Sequence, residues 1–258
     1  MWARALWSFL VAAGCAVSAL PAEAGPRPLW RVCVPDLVAP PYLYNDPARP
    51  GIAERLVVDA GRQAGLDVEL LRLPPRRCRT AIEGHETHAV LLSPAAEVQA
   101  RYLFPSKDGA PDPAQRVATL NFVWIKRKDA PYAWDGTQLS GGGDPASLTV
   151  GTRVNVRLAA EQLRQLGVAV DDSALTTRQL LLKIAARRVD LGVAFQAEAD
   201  HLMADPVAAP LVMLARPLSQ VDLYLAVPRH TDDARRQQAE AWWAAIGRLR
   251  GRPAYRKP

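Results

Sequence analysis

The chain has 258 residues, with 32 Lys plus Arg against 26 Asp plus Glu, a formal charge of +6, and only three Cys. The pI is near 9.5, yet the basic residues are scattered rather than gathered on one aromatic-bearing stripe, which argues against a nucleic-acid partner. After the first 24 residues, no stretch reaches the roughly 18 apolar residues that a spanning helix needs.

Residues 1–24 read as an export leader. Arg4 supplies the positive charge, residues 6–20 the apolar stretch, and Ala22-Glu23-Ala24 the small-residue cleavage pattern. Cleavage is expected after Ala24, leaving a soluble chain without an integral membrane segment. Cys15 after Ala13-Gly14 raises the alternative of a lipoprotein signal, against which Ala12 stands where a larger aliphatic residue is usual. The leader carries one Arg and one Glu, so its removal leaves the net charge unchanged. The remaining length suits one large domain or two lobes of roughly 100 to 130 residues each.

In chain order, residues 29–34 read as a first strand stopped by Pro35, followed by the turn Pro40-Pro41-Tyr42-Leu43-Tyr44-Asn45-Asp46. Two rigid prolines and two aromatics there suit a ligand-facing loop better than a hairpin. Ile52, Leu56, Val57, Ala60 and Ala64 recur at helical spacing before Gly65. Residues 68–73 form the second strand, a helix opens near Arg76 or Arg77 and runs to Gly84, and residues 89–92 form a buried third strand. From about 105 to 148 the pattern loosens around a strand at 119–125 and the linker Gly141-Gly142-Gly143. A strand at 149–154, helices at 158–166 and 177–187, and a buried strand at 189–195 follow. Residues 210–215 precede a half-buried strand at 221–227, and a helix from about 232 to 249 carries Trp242, Ile246 and Leu249 on one side.

Two cysteines remain after the leader. Cys33 lies near the end of the first strand and Cys78 just beyond the second, so the two are neighbours in a parallel sheet that an oxidising compartment permits to pair. The other reading is two small buried hydrophobes.

Cys33 with the Pro-Pro-Tyr turn, Leu73-Pro74-Pro75-Arg76-Arg77-Cys78, Gly84-His85-Glu86-Thr87-His88-Ala89-Val90, and Arg187-Arg188-Val189-Asp190-Leu191 together resemble the periplasmic solute-binding proteins of family 3, the polar-amino-acid-type receptors of ABC transporters. Phe104-Pro105-Ser106-Lys107-Asp108-Gly109 and Trp134-Asp135-Gly136 are similar to a branch of the same family. The resemblance spans about residues 29 to 250. It implies an α/β class and a two-lobed type 2 periplasmic-binding-protein fold, each lobe a mostly parallel sheet flanked by helices. Lobe 1 would comprise residues 29–118 plus 224–258 and lobe 2 residues 126–217. Crossover strands at 119–125 and 218–223 would join them, with the ligand in the interlobe cleft. It further implies a periplasmic monomer without cofactor or metal, whose partner beyond the ligand is an ABC permease or a sensor protein.

Carried over by position, Tyr42 matches the aromatic that lies against the ligand and Ser93 the polar residue after the third strand. The Arg that forks onto an α-carboxylate falls at Val98, with Arg101 three residues on, and the acid that meets the ligand amine falls at Phe195. In lobe 2 the anion cradle is replaced by Val150-Gly151-Thr152-Arg153-Val154-Asn155-Val156-Arg157. An α-amino acid in this cleft would leave both its charges poorly paired, at a cost of several kcal/mol. An anionic or aromatic ligand is therefore expected, with Tyr42, Tyr44, Arg76, Arg77, Ser93, Arg101, Arg153, Asn155, Arg157, Phe195 and Gln196 as candidate contacts. The spacing of His85-Glu86-Thr87-His88 does not match a zinc-protease helix, and there is no nucleophile elbow or dinucleotide fingerprint. The fold also hosts periplasmic dehydratases, for which Asp36, Glu54 and Glu97 would be the cleft-side carboxylates in lobe 1. No partner for any of them is evident in the sequence, so a binding protein is favoured over an enzyme.

Overall fold

The computed structural model describes residues 25–36, 39–44, 46–154 and 156–255. The leader and Asn155 lie outside the described residues, as does the side chain of Arg157. Among the described residues no helix is long and apolar enough to cross a membrane.

The first half builds a parallel unit. β1 (Leu29–Pro35) pairs with β2 (Asp67–Leu73) on one side and β3 (Ala89–Leu92) on the other. α1 (Ile52–Gln63) and α2 (Pro75–Glu83) are the crossover helices. Pro75 opens α2 because a first-turn residue needs no amide donor, so this helix starts just before the two arginines expected to open it. A short α3 (Ala96–Gln99) leads to β4 (Tyr102–Leu103), and the hairpin of β5 (Ser106–Lys107) with β6 (Ala110–Pro111) follows.

β7 (Ala118–Arg127) then leaves this unit, and a small hairpin of β8 (Ala133–Trp134) and β9 (Leu139–Ser140) precedes the second unit. There β10 (Thr149–Arg153) lies parallel to β11 (Ala169–Ala174) and β12 (Leu191–Phe195). They are connected by α4 (Arg157–Gln165) and α5 (Thr177–Ala185), the latter capped by Thr176 accepting from the Gln179 amide at 3.1 Å. α6 (Gln196–Leu202) starts directly after β12. β13 (Leu211–Pro228) runs back as one strand of 18 residues, where the sequence suggests two separate segments. It pairs antiparallel with β7 from Leu211 to Leu223, then with β3 from Tyr224 to Ala226, then with β4. α7 (Asp233–Leu249) closes on α1, with the Trp242 indole N–H donating to the Val57 carbonyl at 2.9 Å.

The sheet order β11-β10-β12-β7-β13-β3-β1-β2 places two parallel units on either side of one antiparallel pair. β11 was not evident in the sequence: Asp171, Asp172 and Ser173 break its apolar alternation, and it sits at the sheet edge, where polar residues are tolerated. Cys33 and Cys78 form a disulfide that ties β1 to α2 with a Cα separation of 5.6 Å.

Candidate functional site

The strand ends of both units converge where β7 and β13 cross between them. On the first side, the chain after β1 turns through a cis Pro40–Pro41 peptide. The amides of Ile52 and Ala53, at the start of α1, then donate to the carbonyls of Pro41 at 2.9 Å and Tyr42 at 3.1 Å. First-turn amides lack helical partners, so the aromatic turn satisfies them and is fixed in return. Glu54 accepts from the Gly51 amide at 2.6 Å, and its carboxylate, fully buried, pairs with Arg72 of β2 at 2.6 Å. This carboxylate therefore has a structural partner and does not face the cleft as a free acid. Gly51 is required by close approach, since a Cβ there would lie 2.0 Å from the Tyr42 carbonyl oxygen.

Facing Tyr42 across the gap are the end of β12 and the start of α6. A small cleft of about 60 Å³ lies between Pro41 and Tyr42 on one side and Phe195, Gln196 and Ala197 on the other, floored by Thr119 and Asn121 of β7. The Asn121 side-chain amide donates to Gln196 Oε1 at 2.8 Å, while Asn121 Oδ1 is buried without a hydrogen-bond partner. Phe195 is buried and stacks on Phe122 with ring centroids 4.6 Å apart. Of the residues anticipated from sequence, the structure thus brings together Tyr42, Phe195 and Gln196.

The others lie elsewhere. Arg153 is committed to Glu198 of α6, whose other oxygen accepts from the Thr177 hydroxyl, so its charge is neutralised within the second unit. Arg76 and Arg77 are exposed on the first turn of α2. Arg101 lies on an outer face, is paired with Glu83 at 3.4 Å, and lines neither cavity at the crossing strands. Tyr44 carries Arg49 over its ring at 5.5 Å, and Ser93 is half-buried just past β3 without lining either cavity. Val98, at the position of the family arginine, packs against the apolar cluster of Cys33, Cys78 and Tyr102.

A second cavity of about 550 Å³ adjoins the small cleft and shares Tyr42, Thr119 and Asn121 with it. Gln220 and Asp222 of β13 stand opposite Asn121 and Thr119 across the strand pair, and Arg116, Arg250 and Tyr255 complete its polar wall. The Thr119 hydroxyl donates to Asp222 at 2.5 Å, and Arg116 lies 3.5 Å from the same carboxylate. Sequence reading missed these residues. The strand pattern held a signal, because Thr119, Asn121, Gln220 and Asp222 are the polar positions of two strands that alternate with buried residues. Nothing local to Arg250 or Tyr255, beyond the last long helix, points to a site.

No family model and no curated protein matches the sequence. Solved structures do match. The ligand-binding core of GluR0 from Nostoc punctiforme, solved with L-glutamate, is similar at a TM-score of 0.63 and 15% identity, over 88% of this chain and 95% of that one. A histidine kinase sensor domain with similarity to periplasmic binding proteins matches at 0.64 and 18%, over 89% and 93%. The substrate-binding protein of an amino acid ABC transporter matches at 0.62 and 12%, over 88% and 95%. The fold is that of the two-lobed periplasmic-binding proteins. These neighbours are binding and sensor proteins, two of them with an amino acid named as ligand or transported substrate.

Proposed function

We propose that the chain is an exported, periplasmic solute-binding protein of the family 3 type that holds a small polar, anionic or aromatic ligand between its lobes and delivers it to an ABC permease. Residues 29–118 with 224–258 would form lobe 1 and residues 126–217 lobe 2, moving about crossovers at 119–125 and 218–223. Two side chains support the reading that a standard α-amino acid is not the ligand. The position of the family acid holds Phe195, buried against Phe122, and the position of the family arginine holds Val98 in an apolar cluster. A zwitterion there would lose hydration at both ends and regain no ion pair.

Thermal unfolding of residues 25–258 against amino acids, aromatic acids, dicarboxylates, polyamines and sugars tests this. A ligand at about 100 times its Kd adds about 2.7 kcal/mol, a shift of a few degrees. Stabilisation by aromatic or anionic compounds is the expected result, and stabilisation by ordinary α-amino acids would overturn the assignment. The similarity to a kinase sensor domain favours a second reading, in which the liganded form acts on a signalling partner. Neighbouring permease and ATPase genes would support uptake, and a neighbouring sensor kinase gene would support signalling.

A further inference from the structure

The 550 Å³ cavity at the crossing strands carries an electrostatic imbalance that the interlobe reading does not use. Its charged lining is Arg116, Asp222 and Arg250. Asp222 lies between Arg116 at 3.5 Å and the Thr119 hydroxyl at 2.5 Å. Arg116 also donates to the Pro113 carbonyl at 2.8 Å. Arg250 is different: among the described residues its guanidinium has no hydrogen bond or ion pair, and its Nε is buried with no partner. Burial, followed by the neighbouring Arg116 charge, pushes its pKa below the ordinary arginine value. The Asp222 carboxylate acts on it through space and offsets this only in part, and a half-buried guanidinium with no ion pair of its own is an unfavourable arrangement that an anion relieves.

We propose that this cavity is a binding site for a small monocarboxylate, with Arg250 as its anion receptor and the Tyr42 ring beside its apolar body. Three features select that chemistry. The lining carries one cation in excess, which a single negative charge balances, whereas a dianion would place surplus charge beside Asp222. The planar guanidinium fork matches the planar carboxylate. Tyr42 and Tyr255 offer aromatic surface in a cavity whose lining is otherwise mostly polar. The site adjoins the small cleft proposed for the transported solute and shares Tyr42, Thr119 and Asn121 with it, but its anion receptor Arg250 does not line that cleft. An occupant would touch Thr119 and Asp222 and therefore both crossing strands.

Calorimetric titration with benzoate, and with benzamide as its uncharged analogue, tests the site in the wild type, R250Q, R250K, D222N and A197W. Benzoate should bind the wild type at least about tenfold more tightly than benzamide, and R250Q should erase that preference while R250K retains part of it. D222N should strengthen benzoate binding by removing the repelling carboxylate, which keeps the proposal testable if R250Q does not fold. Ala197 lines only the small cleft, so A197W should leave benzoate binding intact. Equal benzoate binding by the wild type and R250Q, including none in either, overturns the proposal, as does unchanged or weakened binding in D222N. Loss of binding in A197W with R250Q unaffected would also overturn it while leaving the interlobe reading standing.

Discussion

Tyr42 is held by its backbone, and its half-buried ring also packs against the main apolar cluster. Its carbonyl receives the Ala53 amide, Gly51 packs against that carbonyl, and Glu54 anchors Gly51 from below. If its ring lies against the ligand, Tyr42→Ala should weaken binding by about 1 to 3 kcal/mol in calorimetry with a compound returned by the stability screen, and should leave the fold intact. Glu54 is the opposite case. Its carboxylate is inaccessible and its partner Arg72 nearly so. Truncating it leaves a buried guanidinium uncompensated, so Glu54→Ala should cost about 3 to 5 kcal/mol in urea unfolding. The sequence identified Glu54 as a carboxylate without an evident partner because Arg72 is 18 residues away and belongs to a different element.

Two links between elements carry predictions of their own. The Cys33–Cys78 disulfide joins β1 to α2 across a sequence separation of 45 residues. Replacing both cysteines with serine should lower the unfolding free energy by about 2 to 4 kcal/mol, measured with denaturant under non-reducing conditions. Asp171 joins β11 to α5 by accepting two hydrogen bonds from the Lys183 ammonium, at 2.6 and 2.8 Å. Lys183, with Ser173, holds its pKa at about 2, below the ordinary value of 3.8. A depressed carboxyl pKa stabilises the fold above the unfolded value and loses that contribution as pH falls through the folded one. Stability should therefore decline between about pH 4 and pH 2, and Asp171→Asn should flatten that part of the curve. The effect at neutral pH is about 1 kcal/mol once solvent screening is allowed for. The elements with strong apolar periodicity, α1 and β12 among them, were legible in the sequence. The two-residue strands and α6 were not: β4 is defined by pairing with the distant β13, the β5–β6 and β8–β9 hairpins are too short to show an alternation, and α6 opens without a side-chain cap.

Across the whole molecule, β7 and β13 make one continuous sheet of the two parallel units, and a single apolar cluster runs from Trp30 and Leu56 through Trp124 to Leu163 and Val193. A core shared in this way couples the halves. Urea unfolding followed by tryptophan fluorescence and by far-UV circular dichroism should give coincident single transitions; separated midpoints would show that the two units unfold independently.

The sequence by itself determined the alternation of strands and helices, the aromatic turn at Tyr42 and the apolar identity of positions 98 and 195. These are local facts, set by periodicity, by proline and glycine placement and by residue identity at one position. Only the tertiary structure decided that Arg153 is neutralised by Glu198, that Arg101 pairs with Glu83, and that Arg116, Asp222 and Arg250 meet at one cavity. Such relations join residues far apart in the chain, and the path of β13 past β7 and then β3 sets which of those side chains share a space.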